Sequence, residues 1–111
     1  MSNAARLLLC TCPDQETAQR LATTLVEDRL AACINLVPGI TSIYRWQGRI
    51  HQDPEVLLLL KTADERVDAL MARLRALHPY EVPEIIVLPI VAGLAEYLEW
   101  VKTCVTSKQG S

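Results

Sequence analysis

The run His78-Pro79-Tyr80-Glu81-Val82-Pro83-Glu84 gathers an imidazole, a phenol and two carboxylates into one short connector. Such groups exchange protons, ligate metals or pair with charged ligands. Connectors held by a rigid scaffold are also where binding groups concentrate. Cys10 and Cys12 add two thiols, spaced so that an extended strand points both to one face. A Cys-x-Cys pair can clasp a soft monovalent metal. The competing account is structural. Cys10, Cys12 and Cys33 would then be buried small hydrophobes, and His78 would cap a helix C-terminus. Nucleophilic catalysis needs a thiol, a base within reach and an orienting group. Cys33 or Cys10 with His78 supplies two of these, but no oxyanion-hole or activated-cysteine signature accompanies them. An enzyme is therefore not expected. With only four glycines there is no phosphate-cradling loop. His51, in the polar segment from Arg49 to Pro54, reads as a solvated hairpin residue.

Alternating elements must position these groups. Leu7 to Thr11 reads as a short buried strand. Asp14 is placed to cap a helix whose Ala18, Leu21, Ala22, Leu25, Val26 and Leu30 share one stripe. Ala32–Val37 and Ile40–Tyr44 read as one long strand bent at Pro38-Gly39. Gln47-Gly48 marks a hairpin turn, and the chain returns through Val56–Leu60. Thr62 and Glu65 have capping-box spacing ahead of a second helix, with Val67, Leu70, Met71, Leu74 and Leu77 on one face. That helix stops at His78, because two prolines follow and proline lacks the amide hydrogen. Ile85–Ile90 is a further strand. After Gly93, a third helical stripe carries Leu94, Tyr97, Leu98, Val101 and Val105. The order β-α-β-β-α-β-α predicts an α+β fold, a ferredoxin-like βαββαβ sandwich with an extra C-terminal helix.

Composition bounds the function. The 111 residues suit one domain, and 50% hydrophobic content is ample for a core. A formal net charge of -2 without a basic run argues against nucleic acid as a partner. No run approaches the about 20 apolar residues of a membrane span, and no secretory signal is expected at the N-terminus. Ser2-Asn3-Ala4 is read as lying outside the fold. The four cysteines are too few for a disulfide scaffold and predict reduced thiols in a cytoplasmic protein.

One pattern breaks the expectation for a half-exposed antiparallel sheet, whose strands alternate apolar and polar residues. Residues 7–9, 56–60 and 85–88 are apolar at every position. Three short helices leave part of the second face bare, and apolar patches of that size mark interfaces. A stable homo-oligomer is the expectation.

The segments Leu9-Cys10-Thr11-x-Pro13-Asp14, Ala31-Ala32-Cys33-Ile34-Asn35, Thr41-Ser42-Ile43-Tyr44-Arg45-Trp46-x-Gly48, Glu55-Val56 to Lys61-Thr62, His78 to Glu84, and Tyr97-Leu98-x-Trp100-Val101 closely resemble the CutA divalent-cation tolerance family. The resemblance runs from about Leu7 to Val105 in order. It implies one domain over residues 1–111 with an ordered core of about 6–105. It implies a homotrimer related to PII-type signalling proteins, and a role in tolerance of copper or another divalent metal ion. Cys10 and His78 match positions to which copper binding is ascribed. Some members carry a second histidine immediately before, where this chain has Leu77. Tyr44, Trp46, Lys61, Tyr80, Glu84 and Trp100 match positions around clefts between subunits. Lys61 closes one apolar strand, Glu84 opens another, and both are costly to bury unless paired. They are expected close to one another or to a shared anion or metabolite. The function expected is metal or small-ligand binding in a PII-like trimer. The alternative is a non-catalytic adaptor trimer that meets a protein partner through its clefts.

Overall fold

The computed structural model describes residues 4–106; Ser2 and Asn3 lie outside them. The elements are β1 (Ala5–Cys12), α1 (Gln15–Glu27), β2 (Cys33–Trp46), β3 (Arg49–Ala63), α2 (Val67–Leu77), β4 (Ile85–Pro89) and α3 (Ala95–Thr106). The antiparallel sheet runs β2-β3-β1-β4, which is the ferredoxin-like order, with α3 added.

The core follows from strand parity. Leu8, Cys10 and Cys12 of β1 and Val56, Leu58 and Leu60 of β3 point to one face. There they meet Ala18, Leu21 and Leu25 of α1 and Leu70 and Leu74 of α2. Each buried leucine contributes about 1.5–3 kcal/mol relative to exposure. As expected, Asp14 caps α1, its Oδ1 accepting from the Thr17 amide at 2.8 Å. That bond holds the Asp14 carboxyl below its ordinary range. At the other end Arg29 takes φ 59°. Its amide bonds to Val26 O at 3.0 Å while the Leu30 amide bonds to Leu25 O at 3.0 Å. This is a Schellman closure made with arginine where glycine is usual, so the sequence carried no signal for it.

The expected bend in β2 is a register shift between Val37 and Ile40, with Gly39 at φ 78°. Gln47 and Gly48 are both left-handed, φ 52° and 78°, as the tight turn matching strand twist requires. β3 begins at Arg49, well before the Val56 start expected. Pro54 is tolerated inside it because β1 ends opposite Val56, leaving β3 a partner on one side only. The hairpin therefore projects beyond the sheet as a two-stranded arm, with Ile43 and Ile50 exposed.

The second face is partly covered. Val101 and Val105 of α3 pack on Ala32 and Ala63, small residues that admit a helix closely. Leu7, Leu9, Leu57 and Leu59 remain only half-buried, and Val37, Ile86 and Leu88 are exposed.

Thr62 corrects one expectation. It opens no helix, because it lies within β3 opposite Arg6. Its fully buried hydroxyl donates to Leu30 O at 2.8 Å. A single 3₁₀ turn, Asp64–Arg66, then leads into α2 without a side-chain cap. Sequence spacing alone does not distinguish a cap from a strand-end hydroxyl that ties α1 to β3. Thr62→Val keeps the shape and removes that bond. It should lower stability by about 1–3 kcal/mol, read as a reduced urea midpoint with an unchanged slope.

Candidate functional site

The proline after His78 sets the site. It pushes His78 out of helical geometry, to φ -73° and ψ 139°, and the ring turns back onto the end of β1. His78 Nε2 lies 2.8 Å from Thr11 O and 3.9 Å from Cys12 Sγ. Nδ1 accepts the Tyr80 amide at 3.0 Å. An accepting Nδ1 leaves the ring proton on Nε2, which donates it to the Thr11 carbonyl. The imidazole is 7% exposed. It is thus not a cap on the carbonyls of α2; only its backbone amide reaches Leu74 O, at 3.0 Å. Leu77, where a second histidine was considered, packs against the core.

Cys10, Cys12 and His78 are all buried, and one ligand atom from each lies within 4.8 Å of the others. Cys10 Sγ lies 3.7 Å from Thr11 O, with Cys12 Sγ close by. The neighbouring Cys12 sulfur and burial push the Cys10 thiol up, while the neighbouring Cys10 pulls the Cys12 thiol down. Cys12 is therefore the sulfur readier to ionise. All four cysteines are free. Cys33 lies elsewhere, 3.8 Å from Lys61 Nζ.

Thr11, between the two thiols, faces the opposite way and lines an open cleft of about 540 Å³ with Ser42, Tyr44, Trp46, Glu55, Tyr80 and Glu84. Its anchor is Glu55, which accepts from Tyr80 OH and Ser42 Oγ, both at 2.6 Å. Burial first, and then the Glu55 hydrogen bond, push the Tyr80 phenol up. Tyr44 donates to Asp53, which raises its phenol as well. His51 stacks on Tyr44 with centroids 5.4 Å apart, so it is a packed residue rather than a simply solvated one.

Of the cleft residues named from sequence, Tyr44, Trp46, Tyr80 and Glu84 come together. Lys61 and Trp100 do not join them within this chain. Lys61 hydrogen-bonds Asn35, and Trp100 packs beside Tyr97 at 5.6 Å on α3. Lys61 lies opposite Leu7, whereas Ile85, the residue after Glu84, lies opposite Cys10. Glu84 is thus about four residues, roughly 13 Å, farther along β1, and the two charges do not pair within the chain. Sequence reading missed Ser42, Asp53 and Glu55. The available signal was the period of two on β3, which places Asp53 and Glu55 on one face. Starting that strand at Val56 hid it.

The phenols yield a prediction. In an absorbance titration Tyr80 should ionise last of the three tyrosines, above the ordinary value of 10.0, and Glu55→Gln should bring it earlier. A folded-state value raised above the unfolded one gives stability that is present below pH 10.0 and lost as pH rises through the folded value. Tyr80→Phe should therefore flatten the alkaline fall in stability.

Residues 6–104 match the family model described as CutA1 divalent ion tolerance protein. The chain is 54% identical over 96 residues to the divalent-cation tolerance protein CutA of Thermus thermophilus, covering 86% of this chain and 93% of that protein. It is 48% identical over 101 residues to Protein CutA of Homo sapiens, covering 91% of this chain and 56% of that protein. The crystal structure of CutA from Xylella fastidiosa superposes with a TM-score of 0.90 at 45% identity, covering 92% of this chain and 98% of that one. On the matched residues, the shared fold and these identities, the chain belongs to the CutA1 divalent ion tolerance family.

Proposed function

We propose that this chain acts in tolerance of copper or another divalent metal ion, as a cytoplasmic homotrimer that binds metal within each subunit and a small ligand in its clefts. The observation that carries the metal reading is the buried convergence of Cys10, Cys12 and His78. The sequence offered Cys10 with His78 and, separately, Cys10 with Cys12; here the three donors stand together. Two thiols and an imidazole fit a soft, copper-type ion. Ligation has a cost. His78 Nε2 would give up its proton and its bond to Thr11 O. A proton moved to Nδ1 would also displace the Tyr80 amide. The two sulfurs must outweigh both losses. The same geometry argues for binding over catalysis, since an Nε2 that already carries a proton is no base toward the Cys12 thiol.

The trimer reading, like the PII-like signalling role, rests on family likeness. The half-covered apolar face of Leu7, Leu9, Leu57, Leu59, Ile86 and Leu88 supports the assembly independently. A cytoplasmic site agrees with the free thiols, and no helix among the described residues is long and apolar enough to cross a membrane. The second reading is an adaptor trimer that meets a protein partner, favoured by the exposed Ile43, Trp46 and Ile50 on the hairpin arm.

Two measurements test these readings. Sedimentation velocity at low micromolar concentration should show a trimer up to the unfolding transition, as a core-like interface requires; a folded monomer would overturn the assembly. Copper(I) titration against a chromogenic chelator should show one ion per chain. Cys10→Ser and Cys12→Ser should each weaken it by more than about tenfold, and Cys10→Ser with His78→Ala should abolish it while the trimer persists. Unchanged stoichiometry and affinity would remove these residues from the site.

A further inference from the structure

We infer that the cleft beside Glu55 is a binding site for a small organic cation, an ammonium or guanidinium compound. This inference rests on the cleft being a ligand site and supplies its ligand class. The sequence pairing of Lys61 with Glu84 pointed toward an anion or an undefined metabolite. Within one chain Lys61 lies away from the cleft, and among the described residues of that chain no lysine, arginine or histidine lines it. Glu55, Glu81 and Glu84 do line it. The volume of about 540 Å³ falls within the range of small-molecule sites.

Glu55 is the decisive residue. It is 8% exposed, yet its partners are two neutral hydroxyls, Tyr80 OH and Ser42 Oγ. Arg6 pairs with Asp64 and Arg73 with Asp28, and among the described residues no ion pair within the chain answers this carboxylate. A nearly buried carboxylate without a counter-charge is costly to keep. The two hydroxyls orient it while leaving acceptor capacity unused. Tyr44, Trp46 and Tyr80 add aromatic surface around it, and aromatic faces attract cations.

Charge alone would also admit a metal ion, but the geometry disfavours one. Among the described residues, the group of His, Cys, Asp or Glu donors close enough to share one ion is Cys10, Cys12 and His78. Glu55, Glu81 and Glu84 form no such group. The ligand inferred is a cation with a body, whose charged head meets Glu55 and whose flank lies on the aromatic wall.

Calorimetry of the full chain in its assembled state tests this with three probes of one shape: benzylamine, benzyl alcohol and benzoate. At neutral pH benzylamine, protonated, should bind about tenfold or more tightly than benzyl alcohol, and benzoate should not bind. Glu55→Gln should remove that preference. Glu84→Gln, at an exposed position where folding is not at stake, should reduce it severalfold. Equal binding of amine and alcohol, or a preference untouched by both variants, would overturn the inference. Benzoate binding best would overturn the cation assignment while leaving the cleft a ligand site. Failure of all three probes would count against both. Calcium binding that is lost in Glu55→Gln would replace the organic cation by a metal ion. Dissociation of the assembly by Glu55→Gln, with no probe bound to the unaltered protein, would assign the carboxylate to a lysine or arginine of a second copy and overturn the inference.

Discussion

A single buried imidazole joins the two halves of the site. His78 donates from Nε2 to the Thr11 carbonyl and accepts at Nδ1 from the Tyr80 amide. Its two ring nitrogens thereby fasten the end of α2 and the following connector to the end of β1. Few side chains can do this, because it requires one donor and one acceptor held at fixed separation in a rigid ring. Burial makes the arrangement firmer. With water excluded, an unmade bond on either nitrogen would cost more than the bond is worth at the surface. The position of Tyr80, and through its hydroxyl the orientation of Glu55, follows from this anchor.

Strand parity then divides the chemistry. Cys10 and Cys12 project into the helix-covered core, while Thr11 between them faces the cleft. One strand thus carries a soft, thiol-rich cluster on one side and a wall of an acidic, aromatic cleft on the other. The environments differ accordingly. The thiols sit among leucines, and their closeness to each other raises Cys10 while it lowers Cys12. The cleft is open and lined by hydroxyls and carboxylates. His78 and Thr11 touch both, so a change at the thiol cluster that disturbs the imidazole must also be felt at Tyr80.

The remainder of the fold serves this arrangement. The projecting hairpin carries Ser42, Tyr44, Trp46 and Glu55 to the connector after α2. It extends that far because β2 and β3 outrun β1, kept in register by a bulge at Gly39 and a left-handed turn at Gln47-Gly48. On the other face α3 covers only the end marked by Ala32 and Ala63. The leucines beyond it are left as a partly open apolar strip, a surface better suited to another protein than to water.

The sequence by itself determined the element order, the Asp14 cap, the bent strand, the hairpin turn and the halt of α2 at His78. Each depends on local backbone chemistry: a missing amide at proline, a left-handed turn at glycine, a carboxylate beside free helix amides. It also named Cys10 and His78, along with Tyr44, Trp46, Tyr80 and Glu84 of the cleft. Tertiary structure decided what depends on register and direction. Lys61 lies near the end of one strand and Glu84 just before the start of another, so antiparallel pairing of both strands with β1 sends them to different stretches of it. Thr62 has the spacing of a cap, yet its hydroxyl serves Leu30 across the core. Glu55 drew no role from its local sequence, and strand pairing set it beneath Tyr80. Contacts between residues distant in the chain depend on how strands slide and which face they show, and no local spacing records that.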